Sequence, residues 1–169
     1  MTLLSSFAPV INQNCRVLIL GSMPGVASLQ KQQYYAHPRN AFWSIINELL
    51  GVDKSKSYED ACSLLNNTGV AVWDVLKACR RSGSLDSNIE SLSESANDFV
   101  SFFTEHQSIR AVFFNGRAAE KMFQKHVLTA VAKKFPDLFY HRLPSTSPAY
   151  AAMRFDEKLK YWRKITEYL

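Results

Sequence analysis

The sequence is poor in cysteine: Cys15, Cys62 and Cys79 are widely spaced, odd in number and contain no C-x-x-C pair. That excludes a disulfide framework and gives no zinc signature, and three thiols fall short of the usual four ligands of an iron–sulfur cluster. A reducing, intracellular setting is the simple expectation. The chain also lacks any apolar run near the ~18 residues of a membrane span. Its opening, Met1 to Asn14, has neither a basic region nor a long apolar core, so neither a membrane anchor nor a secretory signal is expected. There is no internal repeat, low-complexity tract or linker. A single domain over residues 1–169, large enough to bury its own core, is the expected organisation.

What is present fits a folded protein, with 47% apolar and 21% charged residues. The net charge of +5 is unevenly spread: residues 1–116 carry 9 Lys/Arg against 10 Asp/Glu, residues 117–169 carry 11 against 5. Such asymmetry suits a surface that meets phosphates, although many basic proteins bind no nucleic acid.

The continuously apolar, β-branched run Arg16–Leu20 has the composition of a strand buried on both faces of a parallel sheet, and similar runs appear at Val70–Trp73, at Ile109–Phe114, broken only by Arg110, and at Leu138–Leu143. Helical patterns lie between them. Phe42, Trp43, Ile45, Ile46, Leu49 and Leu50 follow helical spacing, and Gly51 supplies a stop. Ser57 with Asp60 resembles a capping box opening a helix to Leu65. Residues 97–105 and 117–128 are further helices, and Phe155, Leu159, Trp162, Ile165 and Leu169 mark the apolar face of a last one. The polar stretch from Arg80 to Asn97 is expected to be a loop, with a short helix at most. The alternation predicts an α/β domain, a three-layer α/β/α sandwich around a mainly parallel four-stranded sheet.

Ligands of open parallel sheets bind beyond the carboxyl ends of the strands. There the sequence places Gly21-Ser22-Met23-Pro24-Gly25, then Asp74, then Asn115-Gly116, then Pro144-Ser145-Thr146-Ser147-Pro148. The first is a tight turn whose backbone can approach a ligand, and it is neither a Walker A loop nor G-x-G-x-x-G. The last gathers hydroxyls and amides in a rigid loop suited to a phosphate, or equally to an ordinary strand-to-helix connection with serine caps. Ser145 lies in no G-x-S-x-G elbow, which argues against a serine hydrolase.

These segments, in this order, resemble the uracil-DNA glycosylase superfamily. Gly21-Ser-Met-Pro-Gly25 is similar to its first motif and Pro144-Ser145 to its second. Tyr35-Ala36-x-Pro38-x-Asn40-x-Phe42-Trp43 resembles the mismatch-specific uracil and thymine enzymes. The fuller strings, with Trp73-Asp-Val-Leu76, Gly83-Ser-Leu-Asp86, Phe114-Asn-Gly116 and Leu143 to Ala149, resemble the hypoxanthine-DNA glycosylase family, from about Arg16 to Trp162. The resemblance implies a DNA repair enzyme that hydrolyses the N-glycosidic bond of deaminated bases, chiefly hypoxanthine, and leaves an abasic site. It implies damaged DNA, duplex or single-stranded, as partner, no cofactor and no metal, and a monomer of the cytoplasm that reaches the nucleoid through DNA. Excision of uracil or thymine from mismatches, or a DNA-binding domain without chemistry, are the alternatives. The superfamily's first motif usually carries Asp or Asn at its third position, where this chain has Met23; Asn40 is the candidate substitute.

A glycosylase must extrude the nucleotide, read the base, stabilise it as it leaves and place a water. The resemblance assigns these tasks to Asn40, His37 and Asp74 as catalytic groups. Asn40 positions the water or bonds the base, or else caps the helix that follows. His37 donates to the base or a phosphate, or is structural. Asp74 accepts the N1–H of hypoxanthine, or caps a helix. Base binding falls to Gly21, Ser22, Met23, Pro24, Gly25 and Asn115, and to Tyr35 stacking on the base, with Tyr34 as its alternative. Ser145, Thr146, Ser147, Pro148 and Arg142 are expected to meet DNA, with Ser147 to Tyr150 as the wedge. Arg154 and Lys158 flank that loop, as DNA contacts or as solvated surface.

Overall fold

A computed structural model describes residues 1–55 and 57–169. In chain order it contains β1 (Leu3–Ser5), β2 (Val17–Gly21), α1 (Val26–Lys31), α2 (Phe42–Leu50), α3 (Tyr58–Asn67), β3 (Val70–Asp74) and β4 (Leu76–Arg80). There follow β5 (Ser95–Ala96), α4 (Phe99–Glu105), β6 (Ala111–Asn115), α5 (Arg117–His126), α6 (Leu128–Lys134), β7 (Phe139–Leu143) and α7 (Phe155–Trp162). The main sheet has the order β3-β2-β6-β7, all parallel, with Val17 opposite Val70 and Ala111. Every residue of β2 and β3 is buried, which is why these strands consist of apolar runs rather than alternation. Successive side chains of a strand point to opposite faces. Phe113 accordingly packs on Tyr168 after α7, and Phe114 on Phe123 of α5. Helices therefore cover both faces, in a three-layer α/β/α fold.

Local chemistry accounts for the helix ends. Ser57 caps α3, its hydroxyl accepting from the Asp60 amide at 3.0 Å. Gly51 ends α2 in the left-handed region at φ 69°, where glycine carries no steric penalty. No helix among the described residues is long and apolar enough to cross a membrane.

Two expectations are corrected. The 80–97 stretch is not a plain loop: β4 begins just before it and pairs antiparallel with β1 and β5, and two 3-10 turns lie between β4 and β5. Phe155, expected on an apolar face, is exposed, because α7 starts there at the surface and only its second half reaches the core through Trp162.

Candidate functional site

All four strands of the main sheet deliver a segment to the same edge. Gly21 ends β2 directly opposite Asp74 at the end of β3, and Asn115 ends β6 opposite Leu143 of β7. A cavity of about 150 Å³ opens there, lined by the 21–25 turn, Tyr34, Tyr35, His37, Asn40, Asp74, Ser84, Asp86, Asn115 and the 145–148 loop. Of the DNA-contact residues expected from the sequence, Arg142 stands apart. It is exposed, 3.4 Å from Glu120, on a neighbouring groove of about 430 Å³ that runs past Arg117, Ser145 and Tyr150.

Asp74 forms the floor. It is only 3% exposed, and its Oδ2 is buried without a hydrogen-bond partner. Burial, reinforced by the neighbouring Asp86 and opposed by Arg81, pushes its carboxyl up to about 8. At neutral pH it is therefore mostly a neutral acid, able to donate. No helix begins at Asp74, so the capping alternative falls; the chain passes straight into β4. A Cβ on Gly21 would come within 2.5 Å of Asp74 Oδ1 and 3.2 Å of the Tyr35 hydroxyl. The glycine is thus required by space, and its neighbours are the two polar groups of the floor.

Tyr35 sits at φ 54°, a left-handed conformation uncommon for a tyrosine. One face of its ring is stacked on Phe42 at 4.1 Å between centroids, and its hydroxyl is buried without a partner. Burial and Asp74 hold this phenol well above its ordinary value, so it too remains a donor. Tyr34, also in the wall, is tied down instead: its hydroxyl donates to the Ala8 carbonyl at 2.9 Å and its carbonyl accepts from the Trp43 indole at 3.0 Å.

The remaining groups divide between chemistry and scaffolding. Asn40 Oδ1 accepts from the Phe42 amide at 3.0 Å, fixing the start of α2 and leaving the NH2 of the side chain as its available donor half. His37 lies at the exposed rim, and its Nδ1 accepts from the Arg39 amide at 3.0 Å, which places the proton of the neutral ring on Nε2. Asn115 clamps Thr146 with both halves of its amide, donating to Oγ1 and accepting from the Thr146 N–H, each at 2.9 Å. Ser145 and Ser147 accept from the Ser147 and Ala149 amides, so each keeps a hydroxyl proton to donate. Met23 is buried in the core and forms part of the wall.

Lys158 is not the solvated flank the sequence suggested. It is 6% exposed, donates to the Tyr150 carbonyl at 2.9 Å and lies 5.2 Å from the centre of the Tyr150 ring. Arg154 is exposed beside Asp156, at the start of α7.

Two charged residues of the site had no role assigned from sequence. Asp86 lines the cavity and accepts from the Ser22 hydroxyl at 2.7 Å. Arg81, 4% exposed, reaches from below, donating through Nε to the Gly83 carbonyl and through Nη2 to that of Pro24, with Nη1 3.8 Å from Asp86. Both lie in the polar 80–97 stretch, and the only signal there was that Asp86 closes one of the family-like strings.

A parallel sheet gathers a proton-holding acid, an aromatic wall and a hydroxyl-rich loop at one edge, the place where α/β enzymes carry their sites. The family model of the uracil DNA glycosylase superfamily matches residues 8–169, and the chain belongs to that superfamily. Two curated relatives are named hypoxanthine DNA glycosylase. One, from Methanosarcina barkeri, is 38% identical over 66% of this chain and 70% of its own; the other, from Methanosarcina acetivorans, is 39% identical over 67% and 71%. A solution structure from Methanosarcina acetivorans, described as a candidate uracil DNA glycosylase, superposes with a TM-score of 0.76 at 30% identity, covering 98% of this chain and 99% of that one.

Proposed function

We propose that this protein is a monofunctional glycosylase that excises hypoxanthine from DNA, acting as a monomer inside the cell. The observation that carries the reading is the pair of unsatisfied buried groups on the cavity floor, Asp74 Oδ2 and the Tyr35 hydroxyl. Unpaired buried polar atoms are costly unless a ligand completes them. A neutral carboxylic acid offers an acceptor and a donor side by side, which matches the N1–H and O6 of the hypoxanthine lactam. The names of the two Methanosarcina relatives support the choice of base.

In this reading the extruded base enters between the 21–25 turn and the Tyr35 wall. Asp74 reads its lactam edge. As the glycosidic bond breaks, negative charge collects on the base, and donors already aimed at it lower the barrier. The Asn40 NH2 and the proton of Asp74 supply that stabilisation, and His37 at the rim donates from Nε2 to base or phosphate. Ser145 and Ser147 hold the flanking phosphate with their free hydroxyl protons, Thr146 and Pro148 shape that loop, and Arg142 meets the strand beyond it. No lysine lines the cavity among the described residues, in keeping with hydrolysis rather than an imine intermediate. Excision of uracil is the second reading, because uracil presents a similar N–H/C=O edge and the solved Methanosarcina acetivorans structure carries that description.

The test is alkaline strand cleavage of labelled duplexes with one deoxyinosine or one uracil, in chelator-containing buffer. Preferential cutting at deoxyinosine is expected, reduced about 100-fold or more by Asn40→Ala. Cutting at uracil alone would select the second reading. Tight binding without cutting at either base would leave a DNA-binding domain without chemistry.

A further inference from the structure

Hydrolysis requires a group to receive the proton that the attacking water gives up. Among the described residues lining the cavity, Asp74 and Asp86 are the only carboxylates, and His37 is the only imidazole. Asp74 holds its own proton and faces the base, and the His37 ring has its Nδ1 committed at the rim. Asp86 is differently placed. One oxygen is fixed by the Ser22 hydroxyl, and the buried Arg81 guanidinium stands 3.8 Å away as counter-ion. Its side chain is 35% exposed, so water reaches it. A carboxylate has about four acceptor positions, and Ser22 takes one.

We propose that Asp86 is the catalytic base that places the attacking water, with Ser22 and Arg81 as its positioning residues. The assignment rests on the glycosylase reading above and adds to it the group that completes the hydrolysis. The C1′–N bond breaks and its electron pair leaves with the base. The water oxygen bonds to C1′ and its proton passes to Asp86. Asp74 delivers a proton to the departing base, and the two carboxyls return to their starting states through solvent. The charges are consistent: Arg81 and Asp86 neutralise one another, and the charge on Asp86 favours the protonated form of Asp74. Burial also raises the Asp86 carboxyl while Ser22 and Arg81 pull it down, with burial prevailing, which leaves a base stronger than a free aspartate.

The experiment measures single-turnover excision from whichever of the deoxyinosine and uracil duplexes the wild-type protein cuts, together with binding to a duplex carrying the uncleavable 2′-fluoro form of that nucleotide. Asp86→Asn keeps a partner for Ser22 and removes the base. The expected result is a rate about 100-fold lower or more, with Kd within about twofold of wild type by the measure of that same binding assay. Asp86→Glu, which restores a carboxylate, is expected to recover part of the lost rate. An Asp86→Asn rate within a few-fold of wild type overturns the proposal. Parallel loss of binding and rate in both variants also overturns it, because Asp86 would then only hold the wall. A wild-type protein that cuts neither duplex defeats the glycosylase reading and this inference together, whereas a cutting wild type with an unaffected Asp86→Asn defeats only the inference.

Discussion

Asp74 is a carboxyl buried on the cavity floor, and its protonation couples function to stability. Its carboxyl is raised from 3.8 to about 8 by burial and by Asp86. A group raised on folding contributes stability that is fully present below its unfolded value and lost as pH rises through its folded one. The wild-type melting temperature is therefore expected to fall between about pH 4 and pH 8, each tenfold change in proton affinity being worth about 1.4 kcal/mol. Asp74→Asn, which cannot ionise, is expected to flatten that slope and to melt higher than wild type at pH 8, by calorimetry across the range. The excision rate is expected to fall as pH passes about 8 in the wild type, as its proton donor is lost. An Asp74→Asn profile that keeps the same high-pH limb would assign that limb to another group.

At the scale of the element, the 144–150 loop is held from several sides at once. Asn115 and the Ala41 amide grip Thr146, the Trp162 indole donates to the Pro144 carbonyl at 2.9 Å, and Lys158 holds Tyr150. Gly116, at φ 96°, lets Ser145 pack where a Cβ would lie 3.0 Å from the Ser145 Cβ. Asn115→Ala removes two of these bonds and strands polar atoms of the buried Thr146. It is expected to cost about 1–3 kcal/mol of stability and to raise KM for damaged DNA more than it lowers kcat, read by denaturant melts and steady-state excision. Elements of this kind were partly legible in the sequence. Strands β2, β3 and β6 announced themselves because burial on both faces demands apolar runs, β7, at the sheet edge and half-buried, showed less clearly, and α2 was legible because its apolar spacing ends at Gly51. The segments after the strands marked the site's edge for the same topological reason. The antiparallel β1-β4-β5 sheet was not visible: its strands are two to five residues long and β4 is buried irregularly. Helix α1 was missed because its six residues bury only Ser28 and have no acidic first turn. Arg81 and Asp86 escaped because an ion pair formed between a buried arginine and a half-exposed loop aspartate has no periodicity to betray it.

For the whole molecule, the basic excess of the last third is not all available to DNA. Lys125, Arg142, Arg154 and Lys164 are near acidic side chains, and Lys158 is buried. Arg117 and Arg142 stand on the groove that passes Ser145, the path a strand leaving the cavity takes in the proposed function. Neutralising either, as Arg117→Gln or Arg142→Gln, is expected to weaken binding at low salt and to reduce the slope of log Kd against log salt by about one, with little change in saturated excision rate. The connectivity has one more consequence, for the order in which the protein comes into being. The central strand β2 is made early, yet its partner β6 and the edge strand β7 emerge much later, and such non-local pairings form slowly. The 144–150 loop is secured later still, since Trp162 and Lys158 belong to α7. A nascent chain still short of α7 can close its sheet but cannot anchor that loop, so the loop takes its shape only once α7 has emerged.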